Sequence, residues 1–164
     1  MMKSSSWEEK KKALSALLFL TEKRDGRIKA RQCAVGSKQR TFTGYQKSDG
    51  SSPTVSTDAL MISAAIDGNE NRDVMCLDIP GAFLNADNDE FVLMCLRGKL
   101  CEMMVKVDPT IYRKYVSIDA KGVPILYVKL NKALYGLLKP ALLFYKKLVS
   151  QLKEMGFVLR EKIT

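Results

Sequence analysis

The sequence predicts an α+β fold with mixed antiparallel strands and packed helices. Two short turns, Arg24-Asp25-Gly26 and Asp119-Ala120-Lys121-Gly122, separate strand-like runs, which is typical of β-hairpins. An apolar face at helical spacing follows Pro140 near the carboxyl end. Helical and strand-like segments do not alternate strictly, so a doubly wound sheet is disfavoured. With 164 residues, 46% of them hydrophobic, the chain is long enough to bury the core of one domain.

The order of the elements follows from local signals. Ser6 and Glu9 form a capping-box pattern ahead of leucines at helical spacing, and Ser56 begins a second helix after Pro53. Pro140 suits the first turn of a third helix, which Gly156 would end. The predicted elements are a helix over 7–17, hairpin strands 18–23 and 27–35, a loop 36–52, a helix 56–69, a strand 73–78, a helical turn 83–85, a strand 91–96, an undecided segment 99–106, hairpin strands 115–118 and 123–130, and a helix from 140 to 155.

Composition narrows the possible functions. The formal net charge of +9 favours a polyanionic partner, either nucleic acid or an anionic membrane surface. No apolar run is long enough to cross a bilayer, and the N-terminus lacks the apolar core of a signal peptide. The chain contains no histidine, which excludes Ser-His-Asp and Cys-His catalysis and His-ligated zinc. Carboxylate, hydroxyl, amine and metal chemistry remain.

The four cysteines form no C-x-x-C pair. Cys33 and Cys76 lie in apolar strand-like runs and are expected in the core. Cys95 and Cys101 could form a bridge, but without a secretion signal we do not expect a disulfide framework.

The most informative stretch is residues 76–85, C-L-D-I-P-G-A-F-L-N. Asp78 ends an apolar run and can ligate Mg²⁺, which prefers oxygen donors. The backbone amides of Gly81 and Ala82 open the next helix and would attract phosphate, and Phe83 would lie against the sugar of a bound nucleotide. The alternative is an ordinary strand-turn-helix in which Asp78 is a helix cap and Phe83 a core residue.

The neighbouring blocks favour the nucleotide site. Residues 76–85 resemble motif A of reverse transcriptases, in the D-V-x-x-A-F-L-N form of copia-type LTR retrotransposons. Residues 130–137, L-N-K-A-L-Y-G-L, followed by Phe144-Tyr145 and Gly156-Phe157, are similar to the L-x-K-A-L-Y-G-L…W-Y…G-F stretch of that family. Residues 29–36, K-A-R-Q-C-A-V-G, are similar to its K-A-R-L-V-A-x-G block. The three blocks occur in the order of the family.

The resemblance implies an RNA-directed DNA polymerase of the right-hand type, with fingers and palm, acting on an RNA or DNA template-primer and deoxynucleotides. Residues 18–52 would be the fingers-like hairpin and loop, and residues 53–164 part of palm and fingers. Two Mg²⁺ ions would activate the primer hydroxyl and stabilise the leaving pyrophosphate. Asp78 matches the catalytic metal ligand, with the carbonyl of Ile79 beside it. A cytoplasmic location, without secretion, is expected by the same resemblance.

The resemblance also assigns nucleotide contacts. Phe83 matches the aromatic gate that excludes a ribose 2′-hydroxyl. Lys29 and Arg31 alternate on one strand and would reach the triphosphate, unless they belong to a solvated basic strand face. Lys139 stands where the family has a glutamine, and could still meet phosphate. With Gly81 and Ala82, these residues form the predicted nucleotide-binding set.

A larger departure from the family pattern than Lys139 is an absence. The sequence contains no Asp-Asp dipeptide, which the family needs in a Tyr-x-Asp-Asp hairpin after the second block. We therefore expect a truncated polymerase domain, inactive alone. The competing hypothesis is a non-catalytic basic remnant that binds nucleic acid. An unrelated α+β protein with an acidic partner is a third alternative.

Overall fold

A mixed sheet organises the fold. The structure, a computed structural model, describes residues 6–46 and 50–158. Within them the spatial strand order is β2-β1-β3-β5-β4, with β1 parallel to β3 and the other neighbours antiparallel. The strands are β1 (Leu14–Glu22), β2 (Ile28–Ala34), β3 (Leu93–Arg97), β4 (Ser117–Ile118) and β5 (Pro124–Lys129). The predicted α+β class is confirmed.

The described residues also form seven α-helices. They are α1 (Trp7–Lys11), α2 (Ser37–Thr43), α3 (Thr57–Asn69), α4 (Ala82–Asn85), α5 (Lys99–Val107), α6 (Pro109–Tyr112) and α7 (Pro140–Glu154), with a 3₁₀ turn at Arg113–Tyr115. None of the helices in the described parts of the chain has the length and apolar character needed to cross a membrane.

The first predicted helix is shorter than expected. Its capping box is present: the Ser6 hydroxyl accepts from the Glu9 amide at 3.2 Å, and the Ser6 amide donates to the Glu9 carboxylate at 2.6 Å. The helix nevertheless ends at Lys11, and Leu14 begins β1. Leu14 is 2% exposed and burial alternates along the next residues, because β1 is held between β2 and β3. Sheet pairing therefore overrides the local helical spacing of the leucines.

Most other elements agree with the sequence. Both hairpins, the helix after Ser56, the turn at 83–85, the strand after Phe91 and the helix from Pro140 are confirmed. The predicted loop 36–52 is wrong in part, because residues 37–43 form α2; residues 47–49 lie outside the described residues. The undecided segment 99–106 is helix α5.

The strand predicted at 73–78 is absent. Residues 72–79 have no regular secondary structure and are exposed, with Met75 and Leu77 both 77% accessible. A strand needs a neighbour for its N–H and C=O groups, and no described strand pairs with this run. Cys76 is consequently exposed, so its predicted core position is wrong, whereas Cys33 is partly buried. The preceding α3 also has no buried residue.

The core lies on one face of the sheet. Residues from β1, β2, β3 and β5 form it together with Cys101 of α5. Its buried members are Leu14, Ala34, Val92, Met94, Leu96, Cys101 and Leu126. Leu134 and Leu137 pack against this cluster from the segment before α7, so that segment is part of the core wall.

Segment 131–138 connects two parts of the fold. Its Ala133 amide donates to the Ala86 carbonyl at 2.9 Å, and the Ala34 amide at the end of β2 donates to the Tyr135 carbonyl at 2.8 Å. Gly136 follows with φ +88°, in the left-handed region, and a Cβ there would overlap the Ala34 carbonyl oxygen. The crossing therefore requires glycine at position 136 for space as well as for conformation.

We expect Gly136→Ala to lower the free energy of unfolding by about 3 kcal/mol or more, because the added methyl overlaps backbone. Gly122→Ala is the matched control: φ is +76° at Gly122, and nothing lies within 4 Å of an added Cβ. In the control, the free energy of unfolding should fall by only about 1 kcal/mol, the strain of alanine in the left-handed region. Urea unfolding of both variants measures the difference, and equal losses would contradict the close crossing.

Candidate nucleotide and nucleic-acid site

Phe83 is positioned by the short helix α4 and by the ring of Tyr135. Gly81 precedes α4 with φ +61°, which turns the chain into the helix. Phe83 is partly buried, and its ring centroid lies 4.7 Å from that of Tyr135 at an interplanar angle of 51°. The motif A-like stretch and the second block are thus in direct contact.

Arg31 reaches the same tyrosine from the hairpin. Its guanidinium carbon lies 5.1 Å from the Tyr135 ring centroid, within cation-π range. Lys29 is two residues away on the same face of β2, and both cations are exposed. Among the described residues neither cation has an ion-pair partner.

Tyr135 therefore joins all three sequence blocks at one point. The hairpin and the motif A-like stretch meet at Tyr135, which was not among the predicted site residues. The only signal for it was an aromatic inside the second block. Its role depends on the backbone crossing at Ala34, which local sequence does not display.

Helix α7 fixes the position of α4. The Lys147 ammonium donates to the Asn85 carbonyl at 2.7 Å, at the last residue of α4. Lys132 pairs with Asp87 at 2.5 Å, and this contact lowers the pKa of the Asp87 carboxyl. These two contacts hold the end of α4 against the second block.

Asp78 is not part of a metal-binding cluster in the described residues. It is exposed in the irregular segment 72–79, beside Ile79, rather than at the end of a strand as predicted. In residues 6–46 and 50–158, no cluster of three or more Asp, Glu, Cys or His side chains could hold a metal ion. One carboxylate leaves too many positions of two Mg²⁺ ions to be filled, so the described donor set does not fit a two-metal centre.

Comparison with known families decides the assignment. The family model described as reverse transcriptase (RNA-dependent DNA polymerase) matches residues 6–164. The chain belongs to this reverse transcriptase family. The match spans the hairpin, the motif A-like stretch and the second block, so Arg31, Phe83 and Tyr135 all lie inside it. No curated protein and no solved structure matched the chain.

In this reverse transcriptase chain, Lys139 is part of a polar network. It pairs with Glu90 and lies 3.9 Å from Asp89. Gln39 donates to the other Glu90 oxygen at 3.1 Å and accepts from the Leu138 amide at 3.2 Å. The hydrogen bond that the Lys139 ammonium donates to the Glu90 carboxylate raises the pKa of Lys139. Because acidic groups already compensate this lysine, its contact with a nucleotide phosphate remains a prediction.

The Lys139–Glu90 pair should make stability depend on pH at the alkaline end. A raised folded-state pKa contributes stability below the ordinary lysine pKa of 10.5, and the contribution is lost as the pH rises through the folded value. We expect Glu90→Gln to be less stable than the parent by roughly 0.5–1 kcal/mol at pH 8, and this gap to shrink above pH 10.5.

Urea unfolding of both proteins at pH 8 and pH 11 tests this expectation. The control is Glu102→Gln, which removes the 3.4 Å pair with the highly exposed Lys99 and should change little at either pH. A gap that is the same at both pH values would show that the ion pair is not its source.

Proposed function

We propose that the chain is the fingers and part of the palm of a copia-type retrotransposon reverse transcriptase, and that it holds template-primer against the hairpin. The contact of Arg31 and Phe83 through Tyr135 carries this proposal, since it unites three blocks that resemble copia-type sequences. In this reading Lys29 and Arg31 bind phosphate, and Phe83 limits the space beside the sugar. Gly81, Ala82 and Lys139 remain the predicted secondary nucleotide contacts.

The proposed activity of residues 1–164 is binding rather than nucleotidyl transfer. Family members use divalent ions for transfer, and Asp78 with Ile79 is the predicted ligand here. Among the described residues, Asp78 does not belong to a group of three or more Asp, Glu, Cys or His side chains that could hold a metal ion. The surface that binds phosphate does not depend on a metal, because its charges come from Lys29 and Arg31.

We expect the purified 164-residue chain to show no template-dependent primer extension with Mg²⁺ or Mn²⁺. The reason is that the sequence has no Asp-Asp dipeptide to add metal ligands to Asp78. The assay is incorporation of labelled deoxynucleotide on a primed template, with Asp78→Ala as the matched variant. Incorporation by the parent chain that disappears in Asp78→Ala would overturn the expectation and restore Asp78 as a catalytic metal ligand.

The second candidate function is a non-catalytic nucleic-acid-binding remnant. The exposed, irregular setting of Asp78 favours it, since a metal ligand needs a rigid position. Both candidates use the same basic hairpin face. They differ in metal chemistry, which only the polymerase requires.

We expect the chain to bind single-stranded nucleic acid without sequence preference, with an affinity that falls steeply with salt. Each phosphate that a cation neutralises contributes roughly 0.7 to the slope of log K against log salt for a single strand. Lys29→Glu/Arg31→Glu should lower both the affinity and this slope. Fluorescence anisotropy of a labelled 20-mer at several salt concentrations provides the measurement.

The control Lys106→Glu/Lys121→Glu changes the net charge equally at two exposed lysines outside the hairpin. This control should retain most of the affinity and the slope of the parent chain. Equal losses in the two double variants would mean that total charge, rather than the hairpin face, determines binding.

A further inference from the structure

Phe19 is an exposed aromatic side chain on the face of the first hairpin that carries Lys29 and Arg31. It lies on β1 directly opposite Arg31 of β2, and it is 53% accessible. Cross-strand partners in an antiparallel pair have their Cβ atoms about 4.5–5.5 Å apart. Phe19 is therefore the cross-strand neighbour of Arg31, whose guanidinium contacts Tyr135.

The charge on this face has one sign. Side chains alternate along a strand, so Phe19 and Arg31 share their face with the Thr21–Lys29 pair. Glu22, the acidic residue of β1, points to the opposite face by the same alternation. The hairpin thus offers an aromatic ring next to two cations, with no carboxylate from either strand on that face.

A cation lies between aromatic groups at this end of the hairpin. Arg31 is opposite Phe19 on one side and contacts the Tyr135 ring on the other, and Tyr135 is in ring contact with Phe83. Single-stranded nucleic acid matches this arrangement, because its bases stack on aromatic rings while its phosphates meet the cations between them. An apolar protein partner would instead have to bury Arg31 and Lys29 unpaired, which is costly.

We propose that Phe19 is a base-stacking residue for single-stranded nucleic acid, with Lys29 and Arg31 binding the flanking phosphates. The inference rests on the proposed nucleic-acid-binding function and adds an apolar, base-dependent contribution to it. It assigns a specific contact to a residue that would otherwise be an exposed hydrophobic on a sheet edge.

The experiment compares two labelled 20-mers by fluorescence anisotropy at low salt. One is oligo(dT), and the other has the same backbone with abasic sugars. We expect Phe19→Leu to weaken oligo(dT) binding about fivefold or more, the lower end for one stacked base, and to bind the abasic strand within twofold of the parent. Phe19→Tyr should bind both strands like the parent.

Phe91→Leu is the matched control. Phe91 is 54% accessible and also faces a cation, the Lys129 ammonium at 5.6 Å from its ring centroid, but it precedes β3 and is not on the hairpin. This variant should bind both strands like the parent. Circular dichroism of each variant checks that the strands are intact.

The outcomes separate the inference from the proposed function. If Phe19→Leu binds both strands like the parent, or loses both equally, stacking by Phe19 is excluded while nucleic-acid binding stands. If the parent chain binds neither strand, the proposed function fails as well. Labelled deoxythymidine triphosphate that binds with the same dependence on Phe19 would assign the ring to a free nucleotide and overturn the strand assignment. Phe19-dependent binding to phosphatidylserine vesicles, without binding to the 20-mers, would overturn it in favour of a membrane.

Discussion

The crossing of segment 131–138 beside β2 is the constraint on which the rest of the structure depends. Backbone hydrogen bonds join Ala133 of this segment to Ala86, and Tyr135 to Ala34 of β2. Gly136 allows the backbones of the segment and of β2 to approach closely. A side chain at position 136 would separate β2 from the segment. Leu134 packs against the core, and the adjacent Tyr135 contacts Arg31 on the surface. The same short segment therefore covers the core and positions the side chains of the candidate site.

The basic residues of the chain differ in whether a carboxylate pairs with them. Arg27, Arg97, Lys132 and Lys139 each pair with a carboxylate that also joins a turn or a neighbouring segment. Arg97 is an example, since its partner Asp119 accepts backbone hydrogen bonds in the second hairpin turn, and these bonds lower the pKa of Asp119. Lys29 and Arg31 have no acidic partners among the described residues, so both charges are available to a polyanion.

Sequence predicted the features that local signals determine. The capping box at Ser6, the Asp-Gly turn of the first hairpin and the Pro140 helix start each depend on a few adjacent residues, and all are present. The errors occur where secondary structure depends on pairing with a segment that is distant in the sequence. Leu14 is in a strand because β3 pairs with it, and residues 73–78 are not in a strand because no described strand does. Tyr135 was missed for the same reason, since its importance comes from a crossing between segments a hundred residues apart.

The two halves of the predicted site therefore have different physical requirements. The half proposed to bind phosphate and base needs only the hairpin and the crossing, both of which rest on backbone hydrogen bonds already formed. The metal half needs Asp78 at the end of a strand, and that strand needs a neighbour to satisfy its backbone groups and cover Met75 and Leu77. Residues 72–79 are irregular and exposed, so the Asp78 carboxylate is not at the end of a paired strand. Nucleic-acid binding, as proposed, and nucleotide transfer therefore depend on different parts of the chain.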